Sequence, residues 1–180
     1  MRNAAYERIQ VRCTVELTPH SQTGRSLQII HAELDRYLSP WQHDGYEAGF
    51  DWTIRCKDVE TFLRGLSCVR AVGGLSLLRI SEDDFGDYQL ADTARSTTDA
   101  ASVGAAAAKG KVGGVVTAGG PQVRASWPWS IAAPMDWHLI EIAASANDPR
   151  LRQPPRATGI GHLTVGGSYI VGSIGGESDD

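Results

Sequence analysis

The stretch Ile9-Gln10-Val11-Arg12-Cys13-Thr14-Val15-Glu16-Leu17 decides the fold class. Apolar Ile9, Val11, Cys13, Val15 and Leu17 alternate with polar Gln10, Arg12, Thr14 and Glu16. A period of two is the mark of a strand with one buried face. The polar side is expected to be wet or to face a partner, which makes Arg12 and Glu16 candidate interface residues. Pro19 stops the strand, and residues 21–24 read as a turn.

Beyond that turn the period changes. Leu27, Ile30, His31, Leu34 and Leu38 fall at helical spacing, with Gln28, Glu33, Asp35 and Arg36 on the other side. Ser39-Pro40 ends the helix, because a residue before proline is driven out of the helical region. Phe50 to Arg55 is expected as a short strand with Phe50, Trp52 and Ile54 on one face. Val59, Phe62, Leu63 and Leu66 then repeat the helical spacing, and Asp58 and Glu60 suit the first turn. Val69–Val72 and Leu75–Ile80 read as extended, with Gly73-Gly74 between them as a bulge or a turn. Tyr88-Gln89-Leu90 is the expected hairpin partner after the acidic turn of residues 81–87. The result is an α+β domain in the order β-α-β-α-β-β, with two helices on one face of a mixed sheet.

Three parts are expected within the 180 residues. Residues 1–92 form the α+β domain. Residues 93–124 form a flexible Gly/Ala-rich loop, too long to be an ordinary connection. Residues 125–180 form a β-rich extension: Trp137 to Ile142 suggests a strand, 147–156 a proline-rich linker, and the acidic end at 177–180 disorder. A chain of this size buries enough surface to fold without a metal or disulfide.

Charge narrows the function. Seventeen Lys and Arg against 21 Asp and Glu give a formal net charge of −4. Nucleic-acid binders normally carry a basic face, and membrane-surface proteins a polybasic one, so neither class is expected. Residues 1–10 lack the apolar region of a secretory signal, and residues 157–176 are too rich in glycine to span a bilayer. No nucleic acid and no membrane insertion are therefore expected.

Chemical candidates fail one by one. Cys13, Cys56 and Cys68 are an odd set without CxxC spacing, read as reduced thiols in an intracellularly assembled protein, and the five histidines do not complete a zinc site. A reactive thiol wants an electropositive, partly exposed setting, and nothing in the sequence supplies one. Glu82, Asp83, Asp84 and Asp87 lack the alternate spacing of a calcium loop. Gly159-Ile160-Gly161-His162-Leu163-Thr164 begins like a dinucleotide fingerprint, but no helix-forming sequence follows. Ser26, Ser76 and Ser168 complete no GxSxG motif. His31 lies on the helix stripe and reads as a packed histidine. No catalytic residue, metal or cofactor is expected.

Trp127-Pro128-Trp129 is a different kind of signal. Flanking Pro128, the two rings share a side if the segment is extended. Aromatic residues bury large area at low entropic cost and are enriched at interfaces. The segment is either a partner-binding surface or the filling of a core beneath the long loop.

The order of signals resembles the C-terminal region of baseplate J-like proteins. These are wedge subunits of contractile phage tails and related phage-tail-like injection particles. The likeness rests on Tyr6 to Val15, on Leu34-Asp35-Arg36-Tyr37-Leu38-Ser39-Pro40-Trp41, on Phe50 to Ile54, on the helix opening Asp58-Val59, and on Val69-Arg70-Ala71-Val72. It is looser over Asp92 to Arg95, Pro128 to Met135 and Gly159 to Gly172. Full-length members are several times longer, and the part forming their wedge core would precede Met1. The resemblance implies a non-enzymatic, structural role joining neighbouring wedges into the baseplate ring. Its partners would be other wedge subunits, sheath-proximal proteins and spike or hub proteins. Its location would be the bacterial cytoplasm during assembly, and afterwards the particle. The alternative from another class is a ligand- or carbohydrate-binding module using the tryptophan segment.

Overall fold

The computed structural model describes residues 5–41, 49–82, 88–94, 120–155 and 162–163. The acidic turn at 83–87, most of the Gly/Ala-rich stretch, the side chains of the 159–164 motif, Ser168 and the acidic end lie outside them. An α+β architecture is observed, with two helices on one face of a mixed sheet. β1 (Ala5–Leu17) leads to α1 (Thr23–Leu38), β2 (Thr53–Arg55), α2 (Cys56–Arg64), β3 (Val69–Glu82) and β4 (Tyr88–Asp92). Further along come β5 (Gln122–Arg124), β6 (Ser130–Pro134), β7 (Leu139–Ile142), a 3₁₀ turn (Pro149–Leu151) and β8 (His162–Leu163).

The main sheet runs β6-β1-β3-β4-β8, and β7 lies against β1 beyond the end of β6. β1 pairs antiparallel with β3 and parallel with both β6 and β7. Strands from the 125–180 part are thus built into the same sheet as β1 rather than set apart from it. β5 falls inside the stretch expected to be loop and pairs antiparallel with β2.

Alternation along β1 sends Ile9, Val11, Cys13 and Val15 into one apolar core. Against them pack Ile30, Leu34 and Leu38 of α1, and Val59 and Leu63 of α2. The buried stripe of α1 is Ser26, Ile30, Leu34 and Leu38, so Leu27 and His31 sit on its flank. Ser39, extended at ψ 124°, caps the helix ahead of Pro40. Trp52 and Ile54 enter the core as expected, but Phe50 does not; it lies outside the three-residue β2 and is exposed.

Gly73-Gly74 is a bulge, not a turn. Arg12 pairs with Ser76 and Thr14 with Gly73, so β3 spends one residue more than β1 over this step. Gly74 takes φ +57°, the conformation that favours glycine. Gly73 is glycine for space: a Cβ there would meet the carbonyl oxygen of Leu151 at 2.0 Å. The 3₁₀ turn therefore lies directly on the bulge, and the expected linker becomes a packed cover over the sheet face opposite the helices.

Candidate functional site

Arg12 and Glu16 do not form an open surface. They are 8% and 7% exposed, and each is held by a residue of its own chain. Arg12 forms an ion pair with Asp92 at the end of β4, and Glu16 lies 3.2 Å from Arg70 on β3. On this face the 3₁₀ turn packs against the β1–β3 bulge, and Arg150, Gln153 and Pro154 border the floor on which Arg12 lies. Period-two alternation reports which residues share a face, not what later packs on that face.

Trp127-Pro128-Trp129 is a turn rather than an extended segment. The Ser130 amide donates to the Trp127 carbonyl at 3.0 Å, which places Pro128 at the second turn position, where its fixed φ suits it. The two indoles stack with centroids 5.3 Å apart and planes 19° from parallel. Both rings are half-buried and Pro128 is exposed, so neither a core filling nor a free platform describes the segment.

The turn is anchored from below by buried charge. Glu7, nearly fully buried, accepts from the Ser126 amide at 2.7 Å and from its hydroxyl at 3.1 Å. Arg79 Nε lies 3.3 Å from Glu7, and its guanidinium also donates to the Arg124 carbonyl. Burial lowers the Arg79 pKa, against the opposing pull of Glu7. Ser126 and Arg124 are the residues leading into the tryptophan turn, so this pair fixes where the turn sits.

A second aromatic corner lies across the end of α1. Tyr6 is 53% exposed and Trp41 66%; their rings meet edge to face at 6.0 Å. They border a groove of about 570 Å³ with Arg8, Arg36, Ala133 and Pro134. Tyr6 is on the even-numbered side of β1, and Trp41 is thrown outward by the Ser39-Pro40 stop. Sequence reasoning missed this corner, although its signals were an aromatic at an outward strand position and a tryptophan directly after a helix-ending proline. Trp137, also exposed, forms part of a cavity on the opposite face.

Behind the groove, His138 fills a break in the sheet. β6 covers Ala5–Ile9 of β1 and β7 covers Arg12–Val15. Between the two strands the Val11 amide donates to His138 Nδ1 at 3.1 Å. The ring stacks on His31, centroids 5.9 Å apart. Burial, and then the neighbouring His31, push its pKa down from 6.5 to about 4. The Asp35 carboxylate lies 3.3 Å from Nε2 but is half exposed, so water screens its pull toward the charged ring.

The three thiols are free and buried. Burial pushes Cys13 up to about 12 and raises Cys56, whose sulfur lies 3.5 Å from the Thr93 hydroxyl. High thiol pKa values are the reverse of what nucleophilic catalysis uses. Among the described residues no cluster of His, Cys, Asp and Glu gathers as a metal site, and no helix is long and apolar enough to cross a membrane. Compared with protein-family models and with curated proteins, the chain matches none.

Proposed function

We propose that this chain acts by assembly, as a structural wedge component of the baseplate of a contractile injection system or phage tail. The observation that carries the reading is the outward Tyr6–Trp41 corner over its groove, flanked by Arg8 and Arg36. Aromatic and arginine side chains dominate the energetics of protein interfaces. The corner stands on the helix stop Leu38-Ser39-Pro40-Trp41, one of the motifs through which the chain resembles baseplate J-like proteins. The anchored turn at Trp127–Trp129 adds a second aromatic surface. On this reading the partners are other wedge subunits and the sheath-proximal and hub proteins, met in the bacterial cytoplasm during assembly.

The test is gentle lysis of producing cells, sedimentation of large particles and mass spectrometry of the pellet. Recovery of this chain in fixed ratio to tube, sheath and spike proteins is expected. Trp41→Ala should deplete it from the pellet while its melting temperature stays unchanged, since an exposed ring contributes little to the isolated fold. Recovery only in the supernatant, under conditions where particles form, would sink the proposal.

A further inference from the structure

The sheet face opposite the helices carries a second site. A cavity of about 470 Å³ lies there, floored by Arg12, Thr14 and Ser76 and walled by Trp137, Leu139 and Pro154. Two of its floor groups stand out. Ser76 is 1% exposed, and its hydroxyl has no hydrogen-bond partner among the described residues. Nor has the Nε–H of Arg12, whose terminal nitrogen is taken by Asp92. Arg12 and Ser76 face each other across the β1–β3 ladder, so both unpartnered groups belong to one floor. Buried donors are normally satisfied, because a donor without an acceptor forfeits the hydrogen bond it made to water in the unfolded chain.

Charge selects what would satisfy them. Asp92 already balances Arg12, and Arg150, the other cation lining the cavity, is taken by Asp148 with Glu141 beside it. A carboxylate or phosphate entering here would find no net positive charge to meet it. The complement is a neutral acceptor on an apolar body, and an amide carbonyl flanked by an aliphatic or proline ring has that chemistry. The position is also pre-organised. Asp148 accepts from Arg150 and from the Ala144 amide, which holds its carboxyl well below the usual carboxylate range and locks the 3₁₀ turn over the bulge.

We propose that this cavity receives a peptide segment of a partner chain, its apolar side chain lying on Trp137 and its amide carbonyl accepting from Arg12 and Ser76 as these two side chains, closed to solvent in this structure, turn toward it. The inference rests on the assembly reading and names a docking point for it.

Titrating the isotope-labelled full chain with N-acetyl-prolinamide, and following the Arg12 Nε–H resonance by NMR, tests the proposal. A saturable shift at millimolar probe is expected. Ser76→Ala removes only an unpartnered hydroxyl, so it should fold normally and bind about threefold to tenfold more weakly, the worth of one neutral hydrogen bond. Trp137→Ala, at an exposed position, should weaken binding too. Saturable shifts with acetate or methyl glucoside in place of the amide would overturn the assignment, as would unchanged affinity in both variants. No shift at about 50 mM probe, far above millimolar affinity, would mean that the floor stays closed and would also overturn it. Particle sedimentation is read separately: a chain that pellets but ignores the probe fails only here, while a chain that never pellets fails the assembly reading.

Discussion

Lowering the pH from about 7 to about 4 should cost the fold about 3 kcal/mol through His138 alone. Burial, and then the neighbouring His31, lower the pKa of the folded ring from 6.5 to about 4, and the neutral ring accepts from the Val11 amide at Nδ1. The unfolded chain takes up the proton first, so the contribution is complete above the unfolded pKa. It is then lost as the pH falls toward the folded value. Each pH unit between the two values is worth about 1.4 kcal/mol, and half-protonation of the folded ring at about pH 4 trims the total to about 3 kcal/mol. Asp35, whose own carboxyl is raised mainly by burial, and Asp136 near it are unchanged in a His138→Gln variant. His138→Gln supplies a carbonyl oxygen for Val11 but cannot titrate. Urea unfolding followed by tryptophan fluorescence, at half-unit pH steps, gives both stability profiles. The wild-type profile should fall more steeply than the variant's below about pH 6.5, whatever the variant's baseline stability. His31→Gln, removing a neighbour that opposes protonation, should shallow the wild-type slope. Parallel profiles for wild type and His138→Gln would refute the reasoning.

Three further outcomes follow from the packing. Glu7→Ala leaves Arg79 charged and buried without its partner, so chemical denaturation should show a loss of about 3–5 kcal/mol, whereas Glu60→Ala, which breaks only a partly exposed i,i+4 pair with Arg64, should change little. Gly73→Ala forces the 3₁₀ turn away from the bulge, and an overpacking loss of about 1–3 kcal/mol is expected from the same assay. An unaltered Gly73→Ala protein would mean that the 149–155 cover is not held against the sheet. Trp127→Ala unstacks a half-buried pair, so incorporation into sedimenting particles should fall while the isolated protein still unfolds cooperatively at a slightly lower temperature.

Much of the fold was legible because its signals are local. Alternation over Ile9–Leu17 and the helical stripe ending at Leu38 depend only on which side of a regular backbone each residue falls. The Tyr88 hairpin partner follows from neighbours close in sequence, whereas bulge and turn stayed equally open at Gly73-Gly74 until pairing with β1 decided for the bulge. The same locality explains what the pattern left unread. Arg12 and Glu16 lie on the polar side as read, but their partners Asp92 and Arg70 are distant along the chain. Phe50 follows the alternation of Trp52 and Ile54, yet pairing with β5 begins only at Thr53, so nothing carries its ring inward.

The sequence by itself determined an α+β domain, its two helices, its core strand, and where that strand and the first helix stop. Only the tertiary structure decided that β6 and β7 would flank β1, that His138 would fill the break between them, and that the polar face of the sheet would become a covered, unevenly satisfied floor. Parallel pairing of β1 with strands more than a hundred residues later leaves no local pattern, because the groups it joins are set by chain return and not by periodicity. The exposed Tyr6–Trp41 corner has the same origin: each ring points outward by its own local rule, and the fold brings the two together.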